Sequence, residues 1–411
     1  MRSAAPYRLQ PTVQFYEWGS DTAIAELLGV PPDGRPQAEL WLGAHPSAPA
    51  HVDVDGTLMP LDRLLTEQPL EHLGAPVLEL FGRRLPVLFK VLAAARPLSL
   101  QVHPTLAQAR EGYAREEAAA MPRRAAHRTY RDRSHKPELV VALTPFDALS
   151  GFRPLVDTSD LLSQLARHGA DGLRRALVML QQGELGGLVW EFWDLPQAEC
   201  RTLVGATGLA AARLASSGRG RWHAEAVWIE RLAGLHPGDP GVLVATLLNL
   251  IRLKPGQGLY APPCRLHGYL EGVALEIMAN SDNVIRGGLT TKHVDIAELE
   301  HVLRVWPETV EVIEPTTEGV ESVYLSPAAE FRLSRLELAG RTRMPFTPAG
   351  PEILLCLEGT ANVNGIPLER GEAVFVPAAL AYELAGPATV WRATVGSLQN
   401  YREPERRSRP R

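Results

Sequence analysis

One change of pattern constrains this chain more than any other feature. About 100 residues with helical apolar spacing interrupt a sequence that otherwise reads as short strands. Up to residue 150, β-favouring runs such as LPVLFKVLAA and PLSLQVHP are separated by Pro and Gly. One helix is expected there, in LAQAREGYAREEAAA, followed by the basic loop PRRAAHRTYRDRSHK. From 155 to 255 the apolar residues recur at helical spacing, with Asp157 or Ser159 as a plausible N-cap and further helices over 198–216 and 223–235. From Lys254 the strand pattern returns, with one short helix in VDIAELEHVL. After Thr316, evenly spaced strands joined by Asn-Gly, Glu-Gly and Arg-Gly turns suggest an antiparallel barrel or jelly roll. A helical insertion in a β framework is the expected fold.

At 411 residues the chain can bury a large core without a disulfide or structural metal. Its 42 basic and 47 acidic residues are too balanced to predict nucleic-acid or anionic-membrane binding. Three distant cysteines, Cys200, Cys264 and Cys356, imply no disulfide framework. The first residues lack the apolar segment of a secretory signal. The most apolar run, Val242 to Ile251, is about half a membrane span. A cytoplasmic chain is expected.

Strand alternation picks out the residues that could carry chemistry. In PLSLQVHP, Ser99, Gln101 and His103 share one face, and Leu98, Leu100 and Val102 share the apolar one. In SHKPELVVAL, Lys136 and Glu138 share a face opposite Pro137, Leu139 and Val141, and Pro137 suggests an edge strand or bulge. In HGYLEG, His267 and Tyr269 share a face, and Glu276 is expected on the next strand. Arg286 precedes Gly287-Gly288, with Lys292 shortly after, a pattern able to take an anion. Each piece alone also fits a polar face or surface turn. Together Gln101, His103, Glu138 and His267 form a mixed oxygen and nitrogen set suited to zinc. No CxxC pair is present, which favours a catalytic site with an open position over a structural one. Cys264 ranks low as a ligand, because positions three apart on a strand face opposite ways.

Six motifs, in this order, resemble type I mannose-6-phosphate isomerase, a cupin-superfamily enzyme. They are YEWG at 16–19, AELWLGAHP at 38–46, LPVLFKVL at 85–92, PLSLQVHP at 97–104, HKPEL at 135–139, and HGYLEG with SDNVIRGGLTTK across 267–292. The resemblance implies two cupin (jelly-roll) units plus an α-helical domain. The expected division is a catalytic cupin in two parts, 1–153 and 254–315, a helical insertion at 154–253, a C-terminal barrel at 316–400, and a flexible tail at 401–411. It implies one zinc ion held by Gln101, His103, Glu138 and His267. Catalytic roles fall to Arg286, Lys136 and Glu276, and substrate contacts to Ser99, Lys90, Tyr269 and Lys292. The family reaction interconverts mannose 6-phosphate and fructose 6-phosphate through a cis-enediol, with Glu276, Lys136 or a water on the zinc as base. Tyr382 stands where a metal-binding cupin tends to have His, so the second barrel is expected to be metal-free. A monomer with a sugar-phosphate substrate, and no nucleic-acid or membrane partner, is expected. Two alternatives stay open: a non-catalytic cupin sugar-binding protein, and a metal-dependent isomerase of another sugar phosphate.

Overall fold

The computed structural model describes residues 5–216, 218–340 and 343–398. The expected tail at 401–411 lies outside them. Every strand ladder is antiparallel. A ten-stranded sheet is built around the long strand His267–Ala279, which pairs with Val87–Ala94 on one side and with Glu138–Ala142 and Phe146–Phe152 on the other. The short strand Leu100–Val102 joins it to Ile285–Gly288. A nine-stranded sheet carries the C-terminal strands, and a four-stranded sheet closes that second unit.

The helical interruption is present. Helices Leu155–Arg167, Arg174–Gln181, Leu185–Asp194, Gln197–Ser216 and His223–Leu235 pack around one apolar core. That core includes Leu100, Val102 and Ile285, so the helices brace the rear of the two short strands. Strand alternation then turns Gln101 and His103 the other way. Two details differ from expectation. The first insertion helix starts at Leu155 with Pro154 as N-cap, not at Asp157 or Ser159. Pro fits there because its fixed φ is compatible with the chain's entry and no N–H is needed. The other difference is at the end of the segment expected to be helical. Leu248–Leu253 is a strand of the ten-stranded sheet, paired with Phe146–Phe152. Its short apolar run suits either structure, and tertiary pairing decided between them.

Two more corrections concern the site strands. Pro137 marks no edge: it precedes Glu138–Ala142, which is paired on both sides. Glu276 is not on a following strand but on the same one as His267 and Tyr269. The register slips between Tyr269 and Glu271. Gly272 there has φ +126°, and a Cβ would stand 2.5 Å from the Pro145 carbonyl. The irregularity reverses the alternation, so an odd-numbered pair and an even-numbered glutamate come to one face.

The two β units share a core. Leu42, Phe89, Leu139 and Ile277 of the first pack with Leu333, Ile353, Phe375 and Trp391 of the second. The strand Tyr7–Gln10 lies in the nine-stranded sheet, with Tyr7 opposite Phe375. Tyr382 packs in the apolar core of the second barrel and donates its hydroxyl to the buried Glu352 at 2.7 Å. No helix among the described residues is long and apolar enough to cross a membrane.

Candidate metal centre and active site

Three of the expected ligands converge. The ligand atoms of His103, Glu138 and His267 all lie within 4.8 Å of one another, and all three residues are buried. His103 follows Leu100–Val102, Glu138 opens its strand, and His267 opens the long strand, opposite Gln101. His103 Nδ1 is 2.8 Å from the Asn283 carbonyl, and His267 Nδ1 is 3.1 Å from the Arg265 carbonyl. A carbonyl only accepts, so both Nδ1 atoms carry the proton. Both Nε2 atoms are then bare lone pairs when the rings are neutral. Burial, with Lys136 nearby, lowers the His103 pKa to about 4, so this ring is neutral at pH 7.

Those lone pairs face a carboxylate. His103 Nε2 is 3.2 Å from Glu138 Oε1, and His267 Nε2 is 3.1 Å from Oε2. The first contact has ion-pair length, yet His103 Nε2 has no hydrogen-bond partner. The two observations agree once the contact is read as acceptor against acceptor. Such a cluster repels itself unless a cation lies among its members, and two imidazoles plus one carboxylate suit a transition-metal ion. Carbonyls at the rear nitrogens are the usual way to orient ligand histidines.

Around the cluster stand further charges. Lys136 Nζ is 2.8 Å from Glu138 Oε1, and the Tyr269 hydroxyl donates to Oε2 at 3.2 Å. Burial opposes the Glu138 charge, but the Lys136 ammonium holds its carboxyl well below the usual range. Burial, with Glu138 beside it, pushes the Tyr269 phenol far up, so it stays a donor. Lys90 Nζ lies 2.8 Å from Glu276 and 3.3 Å from Glu39, whose other oxygen accepts from the Trp41 indole at 2.8 Å. The structure therefore sets Lys90 among carboxylates. Burial, helped by Glu138 and Glu39 and opposed by Lys90, raises the Glu276 pKa.

The remaining candidates are more open. Gln101 is half-buried, its Cα in register with both His267 and Arg286, and its amide has no hydrogen bond among the described residues. Ser99 is half-buried just before that strand. Burial and then Arg131 lower the Arg286 pKa. Burial, Arg286 and Arg131 do the same to Lys292. Arg131, Arg286 and Lys292 thus form a cationic group whose mutual repulsion an anion would relieve. Cys264 is buried apart from the cluster, 3.6 Å from Gln108 Oε1.

Sequence reasoning gave no role to Glu39, Arg131 or Asn283. A signal existed for Glu39. It is the only charge in the fully buried strand Glu39–Gly43, as Lys90 is in Val87–Ala94, and Trp41 pairs with Lys90 across the strands. Lone charges in buried strands need partners.

Two jelly-roll units, a helical insertion and a buried two-histidine, one-carboxylate cluster define a metal-site cupin. Residues 7–155 match the family model for the phosphomannose isomerase type I catalytic domain. The chain is 37% identical over 380 residues to mannose-6-phosphate isomerase of Escherichia coli (strain K12), covering 90% of this chain and 94% of that one. It is 31% identical over 417 residues to the Homo sapiens mannose-6-phosphate isomerase, covering 91% and 94%. A crystal structure of zinc-bound mannose 6-phosphate isomerase superposes with TM-score 0.86 at 34% identity, over 95% of this chain and 100% of that one. A mutant phosphomannose isomerase from Salmonella typhimurium gives TM-score 0.87 at 34% identity, with the same coverage. The chain belongs to the mannose-6-phosphate isomerase family.

Proposed function

We propose that this chain is a zinc-dependent aldose–ketose isomerase that interconverts D-mannose 6-phosphate and D-fructose 6-phosphate through a cis-enediol. One observation carries the reading: two buried imidazoles turn their Nε2 lone pairs onto the two oxygens of Glu138. His103, Glu138 and His267, with the Gln101 amide as fourth donor, would hold one zinc ion. When bound, that ion supplies positive charge beside the substrate's C1 and C2 oxygens.

The chain's own groups do the rest. A proton must leave C2 while O1 gains one, giving the enediol. A proton is then returned to C1 while the C2 hydroxyl loses its own, giving the ketose. Glu276 and Lys136 are the two buried groups proposed to carry the carbon-bound proton. Arg286 faces the negative charge that develops on the oxygens. Tyr269 steadies Glu138, and Lys90 steadies Glu276. Ser99 and Lys292, beside Arg131, take the phosphate. The catalytic unit is proposed to comprise 1–153 and 254–315 with the strand Leu248–Leu253 added, and the protein to be a cytoplasmic monomer.

A coupled isomerase assay tests the reading. Mannose 6-phosphate turnover should vanish with a chelator and return with zinc. Zinc binding without turnover of any hexose phosphate would instead favour a sugar-binding protein. Faster turnover of another sugar phosphate would reassign the substrate. His103→Ala should lose zinc and activity with an unchanged circular dichroism spectrum, because the apolar core does not depend on the metal. Full zinc retention would remove His103 from the ligands.

A further inference from the structure

Asn283 is fully buried between the strands His267–Ala279 and Ile285–Gly288. Its side chain uses all its bonding capacity on one segment. Oδ1 accepts from the backbone N–H of Arg131 at 2.8 Å and of Asp132 at 3.2 Å. Nδ2 donates to the carbonyls of Asp132 at 2.9 Å and Ser134 at 2.8 Å. Two lone pairs and two N–H groups are the full inventory of an amide. Meanwhile its own carbonyl is the acceptor for His103 Nδ1–H. The neighbours reinforce the clamp. The Ser281 hydroxyl lies 3.0 Å from the Asp132 carboxylate, which also accepts from the Asp282 N–H at 2.8 Å.

We infer that Asn283 is a positioning residue that sets both sides of the metal centre at once. Through its carbonyl it fixes the tautomer and ring angle of His103. Through its amide it holds 131–134, the segment that presents Arg131 and runs on to Lys136 and Glu138. A carbonyl directs an imidazole only as firmly as it is itself held. Residue 283 lies outside both strands, so its side-chain bonds supply the anchor. This rests on the zinc reading above.

The test uses the full chain with Asn283→Asp and Asn283→Ala. Aspartate keeps the shape and the two accepted bonds, but loses both donated bonds and sets a carboxylate against two carbonyls. Zinc affinity, read by chelator competition, should fall about 10–100-fold in either variant, the usual effect of losing an outer-shell partner. In zinc-free, 15N-histidine-labelled protein, the Nδ1–H signal of His103, assigned by its absence from His103→Ala, should lose its protection from exchange. That signal would not move if Asn283 only filled space. Folded variants with wild-type zinc affinity and an unchanged signal overturn the inference. So does loss of fold in both variants, which assigns Asn283 to folding alone. A wild-type chain that binds no zinc would instead sink the metal reading, a separate result.

Discussion

At the scale of single residues, the buried charges make the sharpest statements. Lys90 stands between Glu39 and Glu276, all three less than a tenth exposed. Lys90→Met leaves two carboxylates facing each other in a dry wall. Breaking a buried pair in this way destabilises by about 3–5 kcal/mol. Urea unfolding should show the loss, and adding Glu276→Gln should recover part of it. Arg286→Ala should lower kcat by about 10²–10³, as losing one donor to developing negative charge does, with zinc content unchanged. Near-normal turnover would take Arg286 out of the reaction. Glu352, in the second barrel, has its pKa raised above 4.5, first by burial. For an acid this means the folded state holds the proton longer than the unfolded one. Its contribution is complete below pH 4.5 and is lost as pH rises through the folded value. Glu352→Gln removes that loss. The stability of the variant relative to wild type should therefore climb between pH 4.5 and 7, read from urea midpoints at both. His103, Glu138 and His267 were legible in the sequence because imidazoles and carboxylates on polar strand faces are few. Asn283 was not, because its role runs through a backbone carbonyl and a loop about 150 residues distant in sequence.

At the scale of elements, the helical insertion acts on the site through close backbone approach. The short helix Gly241–Ala245 packs against the strand that carries Arg286. Gly288 there has φ +122°, and a Cβ on it would stand 2.6 Å from the Gly241 Cα. Gly288→Ala cannot be absorbed by a flexible side chain, since the obstacle is backbone. It should destabilise by about 1–3 kcal/mol and lower kcat by shifting Arg286, with thermal unfolding and kinetics as the checks. Normal kinetics with lowered stability would uncouple the helix from the site. Periodicity located most elements here: the helices Gln197–Ser216 and His223–Leu235 fall where the apolar spacing puts them. It failed at Glu276, expected on a following strand, because the strand runs on through the bulge at 269–271 instead of ending there. It failed again at Leu248–Leu253, where a short apolar run has no period of its own and its neighbour strand decides.

At the scale of the whole molecule, two β units share one apolar core, and the amino-terminal strands Tyr7–Gln10, His51–Val54 and Thr57–Pro60 extend the sheet that carries the C-terminal strands. That core is large enough to hold the fold without zinc. Chelation should therefore lower the melting temperature without unfolding the chain at 25 °C, because a ligand bound only to the folded state stabilises it by mass action. A random-coil spectrum on adding chelator would make the metal structural. The barrel arrangement was legible in evenly spaced strands and turns, but the docking of the amino-terminal strands onto it was not. Nothing in Tyr7–Gln10 marks its partner as Ala373–Val376, since any short β-favouring run can complete an edge. The pairing has a consequence during synthesis. Tyr7–Gln10 can pair early with His51–Val54 on one side, but its other edge must wait until position 375 has left the ribosome, many seconds later at typical translation rates. In that interval its open edge is available to chaperones or to other nascent chains, which makes the amino-terminal strand the place where premature association would begin.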